Sequence, residues 1–142
     1  MTYPTPGLAA RAGGVALVTG ASRGIGREVC RELRGAGRRV FGGCRAPSAE
    51  DPSAPFEAVP LDVTDPASVA ALAADLTARG VTLGALVNNA GIALDGFDAG
   101  IAERTLAVNY FGALAVTDAL LPLLADGGVI VMVSSGMGET SC

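Results

Sequence analysis

The amino-acid sequence predicts an α/β fold built on a doubly wound parallel sheet, on three observations. Short apolar runs alternate along the chain with segments of helical period, as βαβ units require. The first apolar run ends in a glycine-rich turn that opens a helix, at Thr19-Gly20-Ala21-Ser22-Arg23-Gly24-Ile25-Gly26. Half of the 142 residues are apolar but only 4% are aromatic, so small and aliphatic side chains fill the interior, as in closely packed helices and parallel strands.

Taken in order, Val15 to Thr19 reads as a buried strand and Gly24 to Ala36 as the helix that follows. Ile25, Val29 and Leu33 recur every four residues and Ala36 extends their face, while Arg27, Arg31, Arg34 and Arg38 fall largely opposite. Gly35 and Gly37 mark the helix end. Arg39 to Gly43 reads as the second strand and Phe56 to Leu61 as the third. The link Ala46 to Pro55 carries three prolines, Pro47, Pro52 and Pro55, and leaves space for at most a turn of helix. Asp65 is placed as N-cap and Pro66 as first residue of a helix to about Arg79. Leu83 to Asn88 is the fourth strand, Ala102 to Leu124 a long helix bent at Pro122, and Val129 to Ser134 the fifth strand. Ala113 to Val133 reads as helix, turn and buried strand rather than a membrane span, because Asp118, Pro122, Asp126 and Gly127-Gly128 interrupt it. Residues 1–13, with Pro4, Pro6 and Gly7 and no signal-peptide core, read as a loose tail before a single domain at 14–142.

Composition narrows the chemistry. A net charge of −4 argues against a nucleic-acid partner. Ten arginines stand beside no lysine and no histidine, which removes histidine general-base catalysis and the usual histidine zinc site. Cys30, Cys44 and Cys142 are odd in number and widely spaced, so they form neither a disulfide framework nor a metal set and suit a reducing cytoplasm.

The glycine loop carries the strongest signal. In a strand–turn–helix context one glycine permits the tight turn, another admits a pyrophosphate to the backbone, and a third lets helix and strand approach. The helix N-terminus adds free N–H groups and a positive dipole end. The spacing here is G-x-x-x-G-x-G. With Leu61-Asp62-Val63, Asn88-Asn89-Ala90-Gly91, Asn109 and Ser134-Ser135 following in order, the chain resembles the short-chain dehydrogenase/reductase family from Val15 to about Gly138. The resemblance and the right-handed crossover rule imply a Rossmann-like sheet of five strands in order 3-2-1-4-5, an NAD(P)-binding domain incomplete after the fifth strand.

The resemblance also implies a cofactor and its contacts. Gly20, Ser22, Arg23, Gly24, Ile25 and Gly26 would hold the pyrophosphate end. NAD enzymes of this fold carry an acid at the end of strand two, where this chain has Gly43-Cys44-Arg45. Arg45, with Arg23 from the glycine loop, suits a 2′-phosphate by charge and fork geometry, so NADP(H) is expected rather than NAD. Asp62 and Val63 are implied at the adenine, and Asn89, Ala90 and Gly91 along the cofactor wall, with Asn88 mainly structural. Asn109 is implied to help hold a water in a proton relay, and Ser135 to polarise the substrate carbonyl.

The family's proton donor is a tyrosine with a lysine four residues on. This chain has only Tyr3 and Tyr110, and Leu114 stands four residues after Tyr110. The chain ends seven residues after Ser135, which reads as truncation before that tyrosine. The expected function is NADP(H)-dependent hydride transfer to or from a small carbonyl or alcohol in the complete form, weakly of carbonyl-reductase type. A non-catalytic NADP(H)-binding module and a fragment without function stay open beside it. No nucleic acid or membrane is expected as partner, and a homo-oligomer stays open.

Overall fold

A computed structural model describes residues 14–47 and 51–135 of the protein. The N-terminal tail, Tyr3, Ser48 to Glu50 and Cys142 lie outside the described residues. Five strands form one sheet: β1 (Val15–Thr19), β2 (Arg39–Cys44), β3 (Glu57–Pro60), β4 (Leu83–Asn88) and β5 (Leu124–Met132). All pairings are parallel, and the order is β3-β2-β1-β4-β5, as the sequence predicts. Helix α1 (Gly24–Gly35) joins β1 to β2, and α2 (Pro66–Ala78) joins β3 to β4. A continuous helical segment then runs through α3 (Ala99–Leu106), a π turn (Ala107–Gly112), α4 (Ala113–Leu120) and a 3₁₀ turn (Leu121–Leu123).

The alternation of side chains along β1 builds two cores. Leu17 points to one face, where it joins Phe41, Leu76, Leu83, Leu86 and Leu120 under α2 and α4. Ala16 and Val18 point to the other, with Cys30, Val40 and Val87 under α1. Each fully buried large side chain contributes roughly 1.5–3 kcal/mol, so the two faces together hold β1 in the centre of the sheet. Asp65 caps α2 by accepting from Ala67 N at 3.0 Å, with Pro66 at the first position, as expected.

The structure corrects several boundaries and one face. The buried residues of α1 are Gly26, Cys30 and Leu33, and Val29 packs against the same core, so the expected stripe holds at Val29 and Leu33 but fails at Ile25, which is 67% exposed. Gly26 has no side chain to register in an apolar pattern, yet it is the residue that lets α1 press on β1. Arg38 is buried and lies beyond the helix rather than on its solvent face. The long helix begins at Ala99, where Asp98 accepts from Ile101 N at 2.8 Å, and Pro122 ends it in a 3₁₀ turn instead of bending it. Strand β5 begins at Leu124, because Asp126-Gly127-Gly128 form an irregularity within the pairing to β4 rather than a turn before it.

The link between β2 and β3 carries no helix among the described residues. It is strapped to α1 by Arg27 to Asp51 at 2.9 Å and by Arg34 to the Ala54 carbonyl at 3.1 Å. Phe56 tucks its ring against Gly42, which has no Cβ to obstruct it.

The Ala99–Leu123 helix is 25 residues long with a mean hydropathy of 1.5, enough by length and composition alone to cross a membrane. In the structure Val116 and Leu120 sink into the core and Thr117 bonds to β4, while Leu106, Tyr110, Phe111, Leu114 and Leu121 remain exposed.

Candidate cofactor site

The C-terminal ends of the parallel strands open into one cleft of about 610 Å³, the edge of such a sheet where ligands bind. Its first wall is the glycine loop, with Gly20, Ser22, Arg23, Gly24 and Ile25. Gly26 lies beneath the loop, not on the cavity surface. A Cβ there would strike Gly20 O and come within 2.5 Å of Asn89 Nδ2, and one on Gly20 would lie 2.9 Å from Ala90 Cα. The two glycines therefore let the loop, α1 and the exit of β4 close on one another. No side chain caps the first turn of α1 at Arg23, and Gly24 and Ile25 of that turn line the cleft.

The second wall is the end of β2. Gly43, Cys44 and Arg45 line it, and no acid stands there. Arg45 and Arg23 are both exposed, and among the described residues neither forms an ion pair. The third wall follows β3. Asp62, Val63 and Thr64 line it beside Leu61. Asp62 Oδ1 accepts from both Thr64 N at 3.0 Å and Thr64 Oγ1 at 2.7 Å, and these bonds hold its carboxyl below the usual carboxylate range, with the Arg45 charge adding to them. The Ser68 hydroxyl accepts from Asp62 N at 2.9 Å, which fixes the turn from the α2 side.

The fourth wall is Asn89, Ala90, Gly91 and Ile92 at the exit of β4, faced by Val108 of the π turn. Thr19 organises it. Its buried Oγ1 accepts from Asn89 N at 3.0 Å and from Ala90 N at 2.9 Å, so β1 and β4 share one hydrogen-bonded corner. Asn89 Nδ2 donates back to the Thr19 and Gly20 carbonyls, each at 3.2 Å. Asn88 is structural, as expected: its Nδ2 donates to Thr117 Oγ1 at 2.9 Å. Asn109 does not line the cavity. Its Oδ1 accepts from Ile92 N at 2.8 Å and its Nδ2 donates to Ile92 O at 2.9 Å, so this exposed asparagine spends its amide on the backbone after β4.

Ser135 is exposed and outside the cleft lining. Val133 N donates to Asn88 O at 3.0 Å, which brings the chain out of β5 beside the exit of β4, two residues before Ser135. Tyr110 also stands outside the lining; it is 58% exposed and packs edge-on against Phe111 at 5.0 Å.

A family model of the short chain dehydrogenases matches residues 14–142. The chain belongs to the short-chain dehydrogenase family. Two curated members show the relation. Carbonyl reductase [NADPH] 1 of Rattus norvegicus is 38% identical over 140 residues, covering 87% of this chain and 49% of its own length. The 1-hydroxy-2-glutathionyl-2-methyl-3-butene dehydrogenase of a Rhodococcus species is 34% identical over 128 residues, covering 87% of this chain and 57% of its own. Among solved structures, a short-chain dehydrogenase from Streptomyces avermitilis is 36% identical, with a TM-score of 0.68 over 79% of this chain and 44% of that one. This chain spans between 37% and 57% of the length of the curated relatives it matches.

Short-chain dehydrogenases are oxidoreductases that use nicotinamide dinucleotides, and the glycine cradle here fits the pyrophosphate of such a group. The fold brings eleven of the twelve expected cofactor-contact residues to one cleft: six on the glycine-loop and β2 walls, two at the β3 end and three at the exit of β4. Thr19, Ile92, Thr64 and Val108 were not expected from sequence. Thr19 had a visible signal, a hydroxyl residue at the last position of a buried strand. The other three sit beside assigned residues and are chosen by the backbone path.

Proposed function

We propose that this chain is the cofactor-binding part of an NADP(H)-dependent oxidoreductase that transfers hydride between the nicotinamide and a small carbonyl or alcohol. The observation that carries the NADP(H) reading is the β2 wall: two arginines without ion-pair partners among the described residues line a cleft whose β2 end has no carboxylate. An acid there would repel a 2′-phosphate, whereas Arg45 and Arg23 meet it with charge and forked donors. The rat carbonyl reductase, whose name carries NADPH, supports the same choice.

On this reading each wall has a task. The uncapped first turn of α1 and the Gly20–Gly26 loop take the pyrophosphate. The Asp62 carboxylate accepts from the adenine amino group through the oxygen that Thr64 does not occupy, and Val63 lies against the ring. Asn89, Ala90 and Gly91 support the ribose next to the nicotinamide. Bound NADPH supplies the hydride. Ser135 donates a hydrogen bond to the substrate oxygen as it gains charge, and Asn109 fixes the Ile92 backbone beside the site. Free, buried Cys30 and Cys44 suit a reducing cytoplasm.

The chain contains no lysine, so the tyrosine–lysine pair of the family is not within these 142 residues. That favours, for this chain alone, binding without efficient turnover, since a positioned acid is worth roughly 10²–10⁴ in rate. The test is titration of NADPH followed by its own fluorescence, which this tryptophan-free chain leaves unobscured. Saturable 1:1 binding without carbonyl-dependent oxidation is expected. NADPH oxidation that saturates with an aldehyde and disappears in Ser135→Ala contradicts the non-catalytic part. Absence of any NADPH binding by the folded chain contradicts the whole reading.

A further inference from the structure

The π turn Ala107–Gly112 touches the cleft at more than one wall. Val108 lines the cavity, and Asn109 is bonded to Ile92. Gly112, the last residue of the turn, is buried against the opposite wall. A Cβ on Gly112 would lie 2.6 Å from Val63 Cγ2, 3.0 Å from Val63 Cβ and 3.1 Å from Ala107 O. The helix backbone thus bears directly on the side chain that faces the cavity from the end of β3.

We propose that Gly112 is a positioning residue for the adenine end of the cleft, the point at which the long helix sets how far Val63 stands into the cavity. The inference rests on the reading of Val63 as the adenine contact. The two sides of the Gly112–Val63 contact differ in stiffness. On the helix side, Val116 and Leu120 are buried in the core and Thr117 is bonded to Asn88 of β4, so α4 has no room to retreat. On the other side, Val63 packs at the margin of the same core but is only partly buried, and it sits in the turn between β3 and α2 that the Asp62–Thr64 bonds close. A carbon added at position 112 therefore displaces Val63 and narrows or tilts the surface against which a base would lie. Overpacking of this kind is relieved by the softer partner. The π turn, a feature that concentrates at functional sites, then serves both walls: Asn109 holds the β4 exit, and the bare backbone of Gly112 seats Val63.

The test separates the base from the rest of the ligand. Adenosine 2′,5′-bisphosphate and ribose 2,5-bisphosphate are titrated into the wild-type chain and into Gly112→Ala, each checked for cooperative unfolding. The two probes share the phosphates and differ by the adenine. The expected result is that Gly112→Ala loses about tenfold in affinity for the adenosine compound, the size of one lost apolar contact, and binds the ribose compound as the wild type does. A merely structural role shifts both probes together or neither, and either outcome overturns the proposal. If Gly112→Ala does not fold, Gly112→Ala/Val63→Ala is compared with Val63→Ala. The methyl at 2.6 Å is then gone but the Val63 Cβ position at 3.0 Å remains, so several-fold weaker binding of the adenosine compound is expected, and equal binding overturns the proposal. A wild-type chain that binds NADPH but shows the same affinity for both probes overturns the adenine role of Val63 and this inference with it. A wild-type chain that binds neither NADPH nor either probe contradicts the cofactor reading itself.

Discussion

Asn109 and Ile92 are joined by two hydrogen bonds, from Ile92 N to Asn109 Oδ1 at 2.8 Å and from Asn109 Nδ2 to Ile92 O at 2.9 Å. A side-chain amide here takes the place of a neighbouring strand and pairs with the backbone just after β4. Asn109→Ala removes both bonds, and a net cost of about 1 kcal/mol is expected for two exposed hydrogen bonds. Hydrogen exchange at the Ile92 amide gives the sharper readout. It should accelerate in the variant while the amides of β1 stay protected. Unchanged exchange at Ile92 would show that the pair does not hold the segment.

Gly26→Ala should be among the most damaging single-carbon additions to the chain. The new Cβ meets the Gly20 carbonyl, which is backbone and has no rotamer to yield. A loss of about 1–3 kcal/mol is expected from overpacking, seen as a lower urea midpoint with unchanged slope. Gly35→Ala, where a Cβ meets nothing within 4 Å, is the matched control and should be neutral or slightly stabilising. Equal effects of the two substitutions would contradict the close approach of α1 to β1.

These two predictions also show where sequence and structure part. The glycine loop and the Asp65 cap were legible because each depends on local chemistry, a turn and a cap, whereas the strand order and most of the cleft lining followed from the family resemblance and the right-handed crossover rule. The face of α1 was legible at Val29 and Leu33 but not in its first turn, because Gly26 contributes to the core by lacking a side chain, while Ile25 is apolar but sits at the cleft. The start of β5 was hidden because Asp126-Gly127-Gly128 carries the composition of a turn and serves as an irregularity in a paired strand. The π turn had no local signature. Its contacts are with residues distant in sequence, Asn109 with Ile92 17 residues away and Gly112 with Val63.

The thiol of Cys30 should give the chain an alkaline limit. Burial pushes it up to about 12 from a value near 9.0, with the neighbouring Cys44 thiol adding to the shift. The folded state thus favours the neutral thiol. Its contribution to stability is complete below the unfolded-state value and is lost as pH rises from about 9 toward 12. Denaturation as a function of pH should show a decline in that window that is smaller in Cys30→Ala. An identical decline in the variant would assign the alkaline limb to other groups.

The exposed face of the long helix should drive self-association. Leu106, Phe111 and Leu114 are 52%, 58% and 44% exposed on it. A patch of this kind is uncommon on a monomer. Sedimentation of the purified chain should show a mass that grows with concentration, and Phe111→Glu should shift it toward the monomer. A wild-type chain that stays monodisperse and monomeric would contradict this.

The central claim is that the cleft is built for a dinucleotide with a 2′-phosphate, and paired titrations of NADPH and NADH at one ionic strength test it most directly. NADPH should bind about tenfold or more tightly than NADH, the scale of one charge-assisted contact, and Arg45→Asp should erase or reverse the preference while leaving NADH binding in place. Equal affinities of the wild-type chain for the two cofactors, or an Arg45→Asp variant that keeps the NADPH preference, would contradict the account.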